Sequence, residues 1–397
     1  MFYVQPYKTC KLFGALRVVL GIQDAIVLLH SPKGCAYNLR YLLGVRGAKV
    51  NRILTTEMDE KDVIFGGEVR LKKAIKVVDE RYNPSLIAVL TSCASSIIGE
   101  DIELICKDLK GVKAKLLPIH SGGFEGDQIE GYKEAMKRIV EDLVEVKELG
   151  DGVNLLAVYR YGWDLEEVKR LVGFITTTNS VLTAKTSLNE IKNASKARLN
   201  VIMCEASGFD AARLMKKKFG IPYVHPLLPI GIKATKDFVF SISEFFDIKI
   251  PEEFVKEERR ALKKIERAKD KLIGKKVCVI SGASRIAPIT QFLSELGMEI
   301  VLISIDKPGE TTLEDLNKVI NEVDANPKVI VEPEVDEVLE SIRQEKPDLI
   351  VGGLYETEIS RRFRIPLLDI MHGEERTMGF EGAVNLAKSI EVVLLRR

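Results

Sequence analysis

The chain has 397 residues, enough for two or three domains of ordinary size. Hydrophobic residues make up 46% and charged residues 29%, a mixture too apolar for a disordered chain. Lys and Arg number 59 against 58 Asp and Glu, and a net charge of +1 gives no reason to expect nucleic acid or an anionic membrane as partner. No stretch reaches eighteen apolar residues, and the start MFYVQPYKTCKLFG lacks the uninterrupted apolar run of a secretory leader. A cytoplasmic protein is expected, with six cysteines too sparse for a disulfide scaffold.

In chain order, short β-branched runs at 25–29, 52–55, 86–90 and 115–119 read as strands. Others follow at 155–159, 201–204, 277–281, 300–305 and 349–352. Amphipathic stretches at 62–79, 127–146, 165–172, 211–219, 252–272, 286–296 and 313–323 read as helices. Alternation of this kind predicts mainly parallel sheets flanked by helices, an α/β architecture. Two seams divide it. One is the turn cluster ELGDG at 148–152; the other is the highly charged helix 252–272, which ends at Gly274 and reads as a solvated rod between units. Three Rossmann-like units follow, at 1–149, 150–273 and 274–370, with 371–397 forming a loop and a final helix.

The turn Ser281–Gly282–Ala283–Ser284 has one glycine where a dinucleotide fingerprint has three, and reads as a plain βα turn. No GxxxxGK[ST] occurs, so any ATP hydrolysis belongs to another protein. Cys10 lies in a polar turn. Cys35 and Cys93 each come just after a strand, where open α/β sheets bind ligands and where a helix N-terminus favours a thiolate. Their spacing matches no compact zinc or ferredoxin motif. Two readings stay open: thiolates aimed at a shared ligand, or three small buried hydrophobes. Cys204 ends a strand and faces either a cavity or the core. Cys106 and Cys278 read as core, and His30 and His120 as satisfied strand-end histidines.

The segments HSPKGC (30–35), TTEMDEKDVIFGGEVRLKKAI (55–75), TSCASSIIGEDIE (91–103) and HSGGFEGDQIEGYKEA (120–135) resemble the nitrogenase component 1 family, in that order. So do KARLNVIMCEASGFDAARLMKKKFGIPYV (196–224) and DIMHGEERTMGFEGAVNLAKSI (369–390). The resemblance implies a fold like that of the nitrogenase iron-molybdenum protein. It implies that Cys10, Cys35 and Cys93 bind an iron–sulfur cluster, expected as four-iron four-sulfur, at a subunit interface. It further implies that an ATP-hydrolysing iron protein delivers electrons to that cluster. Cys204 matches the cysteine, and His372 the histidine, that hold the large metal cofactor in nitrogenase. Arg376, near His372, is a candidate for pairing substrate carboxylates.

Within the family, the compact length together with HSPKGCAYNLR and DIMHGEERTMGFEGA is most similar to the tetrapyrrole-reducing branch of coenzyme F-430 biosynthesis in methanogenic archaea. That resemblance implies a homodimeric reductive cyclase acting on a nickel tetrapyrrole, Ni-sirohydrochlorin a,c-diamide. A homodimer would offer six thiols where a four-iron cluster takes four. Retention of both Cys204 and His372 keeps a second reading in view, a scaffold for metal-cluster assembly or a nitrogenase-type reductase subunit.

Overall fold

The computed structural model describes residues 9–45, 50–353, 356–371 and 375–395. Thirteen strands among these form three sheets, and every strand pair within them is parallel. The first sheet comprises β1 (Ala25–His30), β2 (Ile53–Thr55), β3 (Leu86–Thr91) and β4 (Lys115–Ile119) in the order β2-β1-β3-β4. The second comprises β5 (Val153–Val158), β6 (Thr178–Thr183), β7 (Leu199–Ile202) and β8 (Tyr223–Val224), ordered β6-β5-β7-β8. The third comprises β9 (Lys276–Ser281), β10 (Glu299–Ile305), β11 (Lys328–Val331), β12 (Leu349–Gly352) and β13 (Leu367–Asp369), ordered β11-β10-β9-β12-β13. The expected α/β class with three parallel-sheet units is the one observed.

Side chains alternate across a strand, and the alternation dictates how the sheets stack. On the second sheet, Leu155 and Val201 enter a core shared with Val277, Val279 and Val351 of the third. Leu156, Leu182 and Ile202, on its other face, enter a core shared with Val27, Leu29, Ala88 and Leu90 of the first. The outer faces of the first and third sheets close smaller cores of their own. Cys106 and Cys278 lie in these outer cores, as expected; burial pushes the Cys106 thiol up to about 12 and the Cys278 thiol higher still.

Three of the expected elements take a different form in the structure. The helix expected over 62–79 is two, Glu60–Phe65 and Glu68–Tyr82, because Gly66 adopts φ +93, which a residue with a Cβ rarely takes. The helix Glu205–Phe219 starts earlier than its apolar pattern indicated, so Cys204 caps it instead of ending a strand. The charged helix Glu252–Leu272 is not a free rod: Phe254, Ala261, Ile265, Ala268 and Leu272 form a buried stripe in the core that the C-terminal helix Gly379–Leu395 also enters.

The helices Lys11–Leu20 and Gln128–Asp142 approach so closely that only glycine fits where they meet. A Cβ on Gly14 would sit 2.0 Å from the Gln128 carbonyl oxygen, and one on Gly131 would sit 1.9 Å from that of Lys11. Both contacts are with backbone, which cannot swing aside. Gly131→Ala is therefore expected to lose stability at or beyond the upper end of the overpacking range of about 1–3 kcal/mol. The measurement is the urea midpoint; an unchanged value would refute this packing.

Candidate metal centre and interdomain cleft

Each sheet has a topological switch point, where the chain leaves two adjacent strands in opposite directions and opens a crevice at their C-terminal ends. In the first sheet this is the β1/β3 pair. Cys35 lies in the first turn of the helix Lys33–Val45 that follows β1, and Cys93 opens the helix Cys93–Ile97 that follows β3. Cys10 reaches the same place from outside the sheet. It caps the helix Lys11–Leu20 with extended backbone, makes no side-chain capping bond, and forms an isolated antiparallel bridge with Asp127.

Gly123 shows how closely these thiols converge. A Cβ there would lie 3.1 Å from the Cys93 Sγ and 3.3 Å from the Cys10 Sγ. Desolvation raises the Cys35 pKa, and the neighbouring sulfurs of Cys93 and Cys10 raise it further. The thiolate form of Cys35 is thus disfavoured, a balance that bound iron would reverse by supplying positive charge. Among the described residues no three His, Cys, Asp or Glu side chains close on a single ion. The soft three-sulfur set suits a multi-iron cluster, whose atoms hold their ligands apart.

His30, at the end of β1, is fully buried. Its Nδ1 lies 2.9 Å from the Thr56 hydroxyl, and its Nε2 bonds Glu100, whose carboxylate also accepts from the Gly67 amide. Burial lowers the His30 pKa against the opposing pull of Glu100. Large apolar side chains flank the thiols in sequence and stand in solvent: Tyr37, Ile97 and Phe124, with Ile64, Phe65 and Val69 around the Gly66 break. Phe65 is 83% exposed, which is unusual for so large an apolar group and marks a surface suited to protein contact.

Segments at the C-terminal edges of the second and third sheets line a narrow common cleft, Met203, Glu205 and His225 from the one and Ala283 and Ser284 from the other. At the β5/β7 switch point stand Tyr159, Arg160 and Cys204. Cys204 is half-buried and makes no side-chain capping bond. The Tyr159 hydroxyl donates to Ser207 Oγ at 2.9 Å and the ring stacks on Tyr132 at 4.4 Å. Burial, and then the nearby Cys204 sulfur, push the phenol well above its ordinary pKa. The loop after β10 is pinned to the Cys204 helix through Glu205, which accepts from the Thr311 amide and the Thr312 hydroxyl.

Asp164 ties the cleft together. Its Oδ1 accepts from the Thr377 and Met378 amides at 2.6 and 3.0 Å; its Oδ2 accepts from the Thr377 hydroxyl at 2.7 Å and from Arg285 at 3.1 Å. Arg376, beside it, bonds Glu167 at 3.2 Å and also Glu381, so its fork is already engaged by two carboxylates. His372 lies outside the described residues; the chain before it ends at Met371, just past β13, with the Met371 amide donating to Asp369. The sites thus divide: Cys10, Cys35 and Cys93 at one crevice, Cys204 and Arg376 at the cleft. Asp164, Tyr159, Arg17, Arg160 and Arg285 were not singled out from sequence, although Tyr159 and Arg160 stand at a strand's C-terminal end, the place that flagged Cys35 and Cys93.

The stacked parallel sheets and their switch-point thiols define an oxidoreductase architecture of the nitrogenase type. The family model for nitrogenase component 1 type oxidoreductases matches residues 10–395, and the chain belongs to this family. It is 30% identical, over 98% of its length and 87% of the relative's, to the nitrogenase iron-molybdenum cofactor biosynthesis protein NifE of Clostridium pasteurianum. It is also 30% identical, over 96% and 87%, to the nitrogenase molybdenum-iron protein alpha chain of Methanothermobacter thermautotrophicus. The solved structure described as nitrogenase Cp1 at pH 6.5 shares the fold, with a TM-score of 0.89 at 24% identity across 100% of this chain and 94% of that one. No helix among the described residues is long and apolar enough to cross a membrane.

The Asp164 knot has a pH signature. Burial alone would raise its pKa, but the Arg285 charge and the bonds from Thr377 outweigh burial and hold it below the ordinary 3.8. A depressed carboxyl pKa contributes stability that is complete above the ordinary value and lost as pH falls through the folded value. Asp164→Asn should cost about 1.5–3 kcal/mol between about pH 5 and 7, the range for hydrogen bonds to a charged group. The gap between variant and parent should narrow below about pH 4. Urea midpoints across that range test it; a gap that widens in acid would contradict the assignment.

Proposed function

We propose that this protein is the catalytic component of a nitrogenase-like reductive cyclase, which accepts electrons from an ATP-hydrolysing iron protein and reduces and cyclises a nickel tetrapyrrole, Ni-sirohydrochlorin a,c-diamide, toward coenzyme F-430. The observation that carries the redox part is the meeting of Cys10 and Cys93 beneath Gly123 at the first sheet's switch point, with Cys35 near enough to feel both sulfurs. These thiolates would hold an iron–sulfur cluster, expected as four-iron four-sulfur, near the face where two copies of the chain meet. Bound there, the cluster supplies one-electron chemistry that side chains cannot. The exposed Tyr37, Phe65, Ile97 and Phe124 support a protein-contact role for that face, both for the second copy and for an ATP-hydrolysing iron protein. The missing phosphate-binding loop fits a division of labour in which the partner hydrolyses ATP.

The tetrapyrrole would lie in the cleft between the second and third sheets. His372 is the candidate proton donor there. Arg376, held by Glu167 and Glu381, fixes the stretch after His372 together with Asp164. A cleft between α/β units is a usual place for a ligand of that size.

A second reading is favoured by one observation. Cys204 presents a half-buried thiol with no side-chain capping bond, and a 30% identical relative is named for cofactor biosynthesis. In that reading the cleft holds a metal cluster under assembly.

Anaerobically purified protein is expected to be coloured and to contain iron and sulfide, and Cys35→Ser should bleach it. Incubation with the iron protein, ATP and Ni-sirohydrochlorin a,c-diamide should convert the tetrapyrrole spectrum. Iron-bearing protein that leaves the tetrapyrrole unchanged, but carries a second iron species removed by Cys204→Ala, would sink the cyclase reading in favour of the scaffold. Colourless, iron-free protein would sink both.

A further inference from the structure

The short strand β8 delivers a histidine to the cleft. His225 follows Val224 directly, and its ring packs tilted against Phe209 with centroids 5.2 Å apart. Its Nδ1 lies 3.8 Å from Asp315 Oδ2. Asp315 belongs to the helix Thr312–Glu322 that follows β10, so the pair bridges the edges of the second and third sheets. Asp315 is itself held in place. The same Oδ2 accepts from the Thr311 hydroxyl at 2.8 Å, and the Asp315 amide donates to the Thr311 carbonyl at 2.9 Å. His225 and Asp315 both line the cleft, together with Glu205 and Ser284.

The other described histidines are placed differently. His30 is fully buried with both ring nitrogens engaged, and His120 lies half-exposed, 3.6 Å from Glu103. The His225 side chain is 14% exposed and that of Asp315 28%, so the pair reaches from solvent to the cleft. The second ring nitrogen of His225, Nε2, makes no hydrogen bond among the described residues. A ring steadied at one nitrogen and open at the other is the arrangement of a proton donor, and such contacts are commonly long until a ligand closes the site. Burial lowers the imidazole pKa, while the charges that act on it, Asp315 and then Glu205, pull it back up. The space between these walls is about 10 Å³, room for one water-sized group, so only one edge or substituent of a larger ligand meets His225.

We propose that His225, positioned by Asp315, is a proton donor that passes solvent protons to an unsaturated ring reduced in this cleft. The inference rests on the cyclase reading for the identity of that ring; the pairing of His225 with Asp315 does not. Two electrons added to a ring double bond take up two protons. The electrons come from the iron protein. The Nε2–H bond of His225 breaks as one C–H bond forms, and the second proton falls to the other donor proposed above, His372. The imidazole is then reprotonated from solvent beside Asp315, whose carboxylate holds the ring and stabilises the imidazolium.

The test uses the full-length protein, purified anaerobically and treated with diethyl pyrocarbonate, which acylates neutral, accessible imidazoles; peptide mass spectrometry reads each histidine. His225 should react with a pH midpoint below 6.5, while fully buried His30 should not react. Asp315→Asn removes a charge that favours the imidazolium, so it should move the His225 midpoint lower still. Saturating Ni-sirohydrochlorin a,c-diamide should slow acylation of His225 at least tenfold. His225→Gln should keep the parent's iron content and tetrapyrrole-binding spectrum yet lose about 10²–10⁴-fold in turnover. In Asp315→Asn the alkaline fall of turnover should begin at lower pH than in the parent. Four results would each overturn the proposal: a His225 as inert as His30, a midpoint that Asp315→Asn leaves unmoved, no protection by a tetrapyrrole that binds, or full turnover in His225→Gln. A parent that neither binds nor converts the tetrapyrrole would overturn the cyclase reading instead, and the pair would then stand or fall on the Asp315→Asn shift.

Discussion

The middle sheet has no core of its own. Leu155 and Val201 belong to the core of the third sheet, while Leu156 and Ile202, their immediate neighbours in sequence, belong to the core of the first. A four-stranded parallel sheet must be covered on both faces. Here other units provide much of the cover on both. The three units therefore cannot drift apart without exposing a shared core, which is why their C-terminal edges hold a fixed relation. Both functional places depend on that constraint. Cys10 is carried to its crevice by a helix packed across the boundary between the first two units.

Close packing and function are coupled at the glycines. Gly14 and Gly131 let two helices touch backbone to backbone, which sets the position of Cys10 at the start of one of them. Gly123 leaves room for two sulfurs that a methyl group would crowd. Gly67 lies where a Cβ would meet the His30 ring at 2.9 Å, so the break between two helices is seated against a buried His–Glu pair. Along the chain these glycines border exposed Phe65 and Phe124. The surface offered to partners is thus attached to the most tightly packed part of the first unit.

The strands with two buried faces were legible in the sequence: 25–29, 86–90, 277–281 and 300–305 are nearly continuous apolar runs. The missed strands are those whose stability comes from neighbours. Thr178–Thr183 begins with three polar residues, Lys328–Val331 is an edge strand mostly in solvent, Tyr223–Val224 has two residues and Leu367–Asp369, at the other edge of its sheet, has three. The helix Lys11–Leu20 was missed because it is short and mostly apolar, with Lys11 and Arg17 as its only charged residues. The three cluster thiols were visible as strand-end cysteines, but their convergence was carried by family resemblance and not by spacing. Arg376 drew attention by its nearness to His372, yet geometry gives its charge to Glu167 and Glu381.

One element crosses the boundary between the first two units. Cys10 caps the N-terminus of the helix Lys11–Leu20, and Arg17 lies in its last turn. Seven residues of α-helix rise about 10 Å. Leu12 to Leu16 are buried along its length, and Gly14 is locked against Gln128, so the helix has no freedom to bend or slide. The separation between Cys10 and Arg17 is therefore set by one short rigid rod, not by the sum of loop conformations. A redox centre held by Cys10 would be separated from Arg17 by just under two turns of helix. The same geometry has an electrostatic consequence. The helix dipole presents its positive end to the thiolates and its negative end to the arginine, and each end favours the charge it meets.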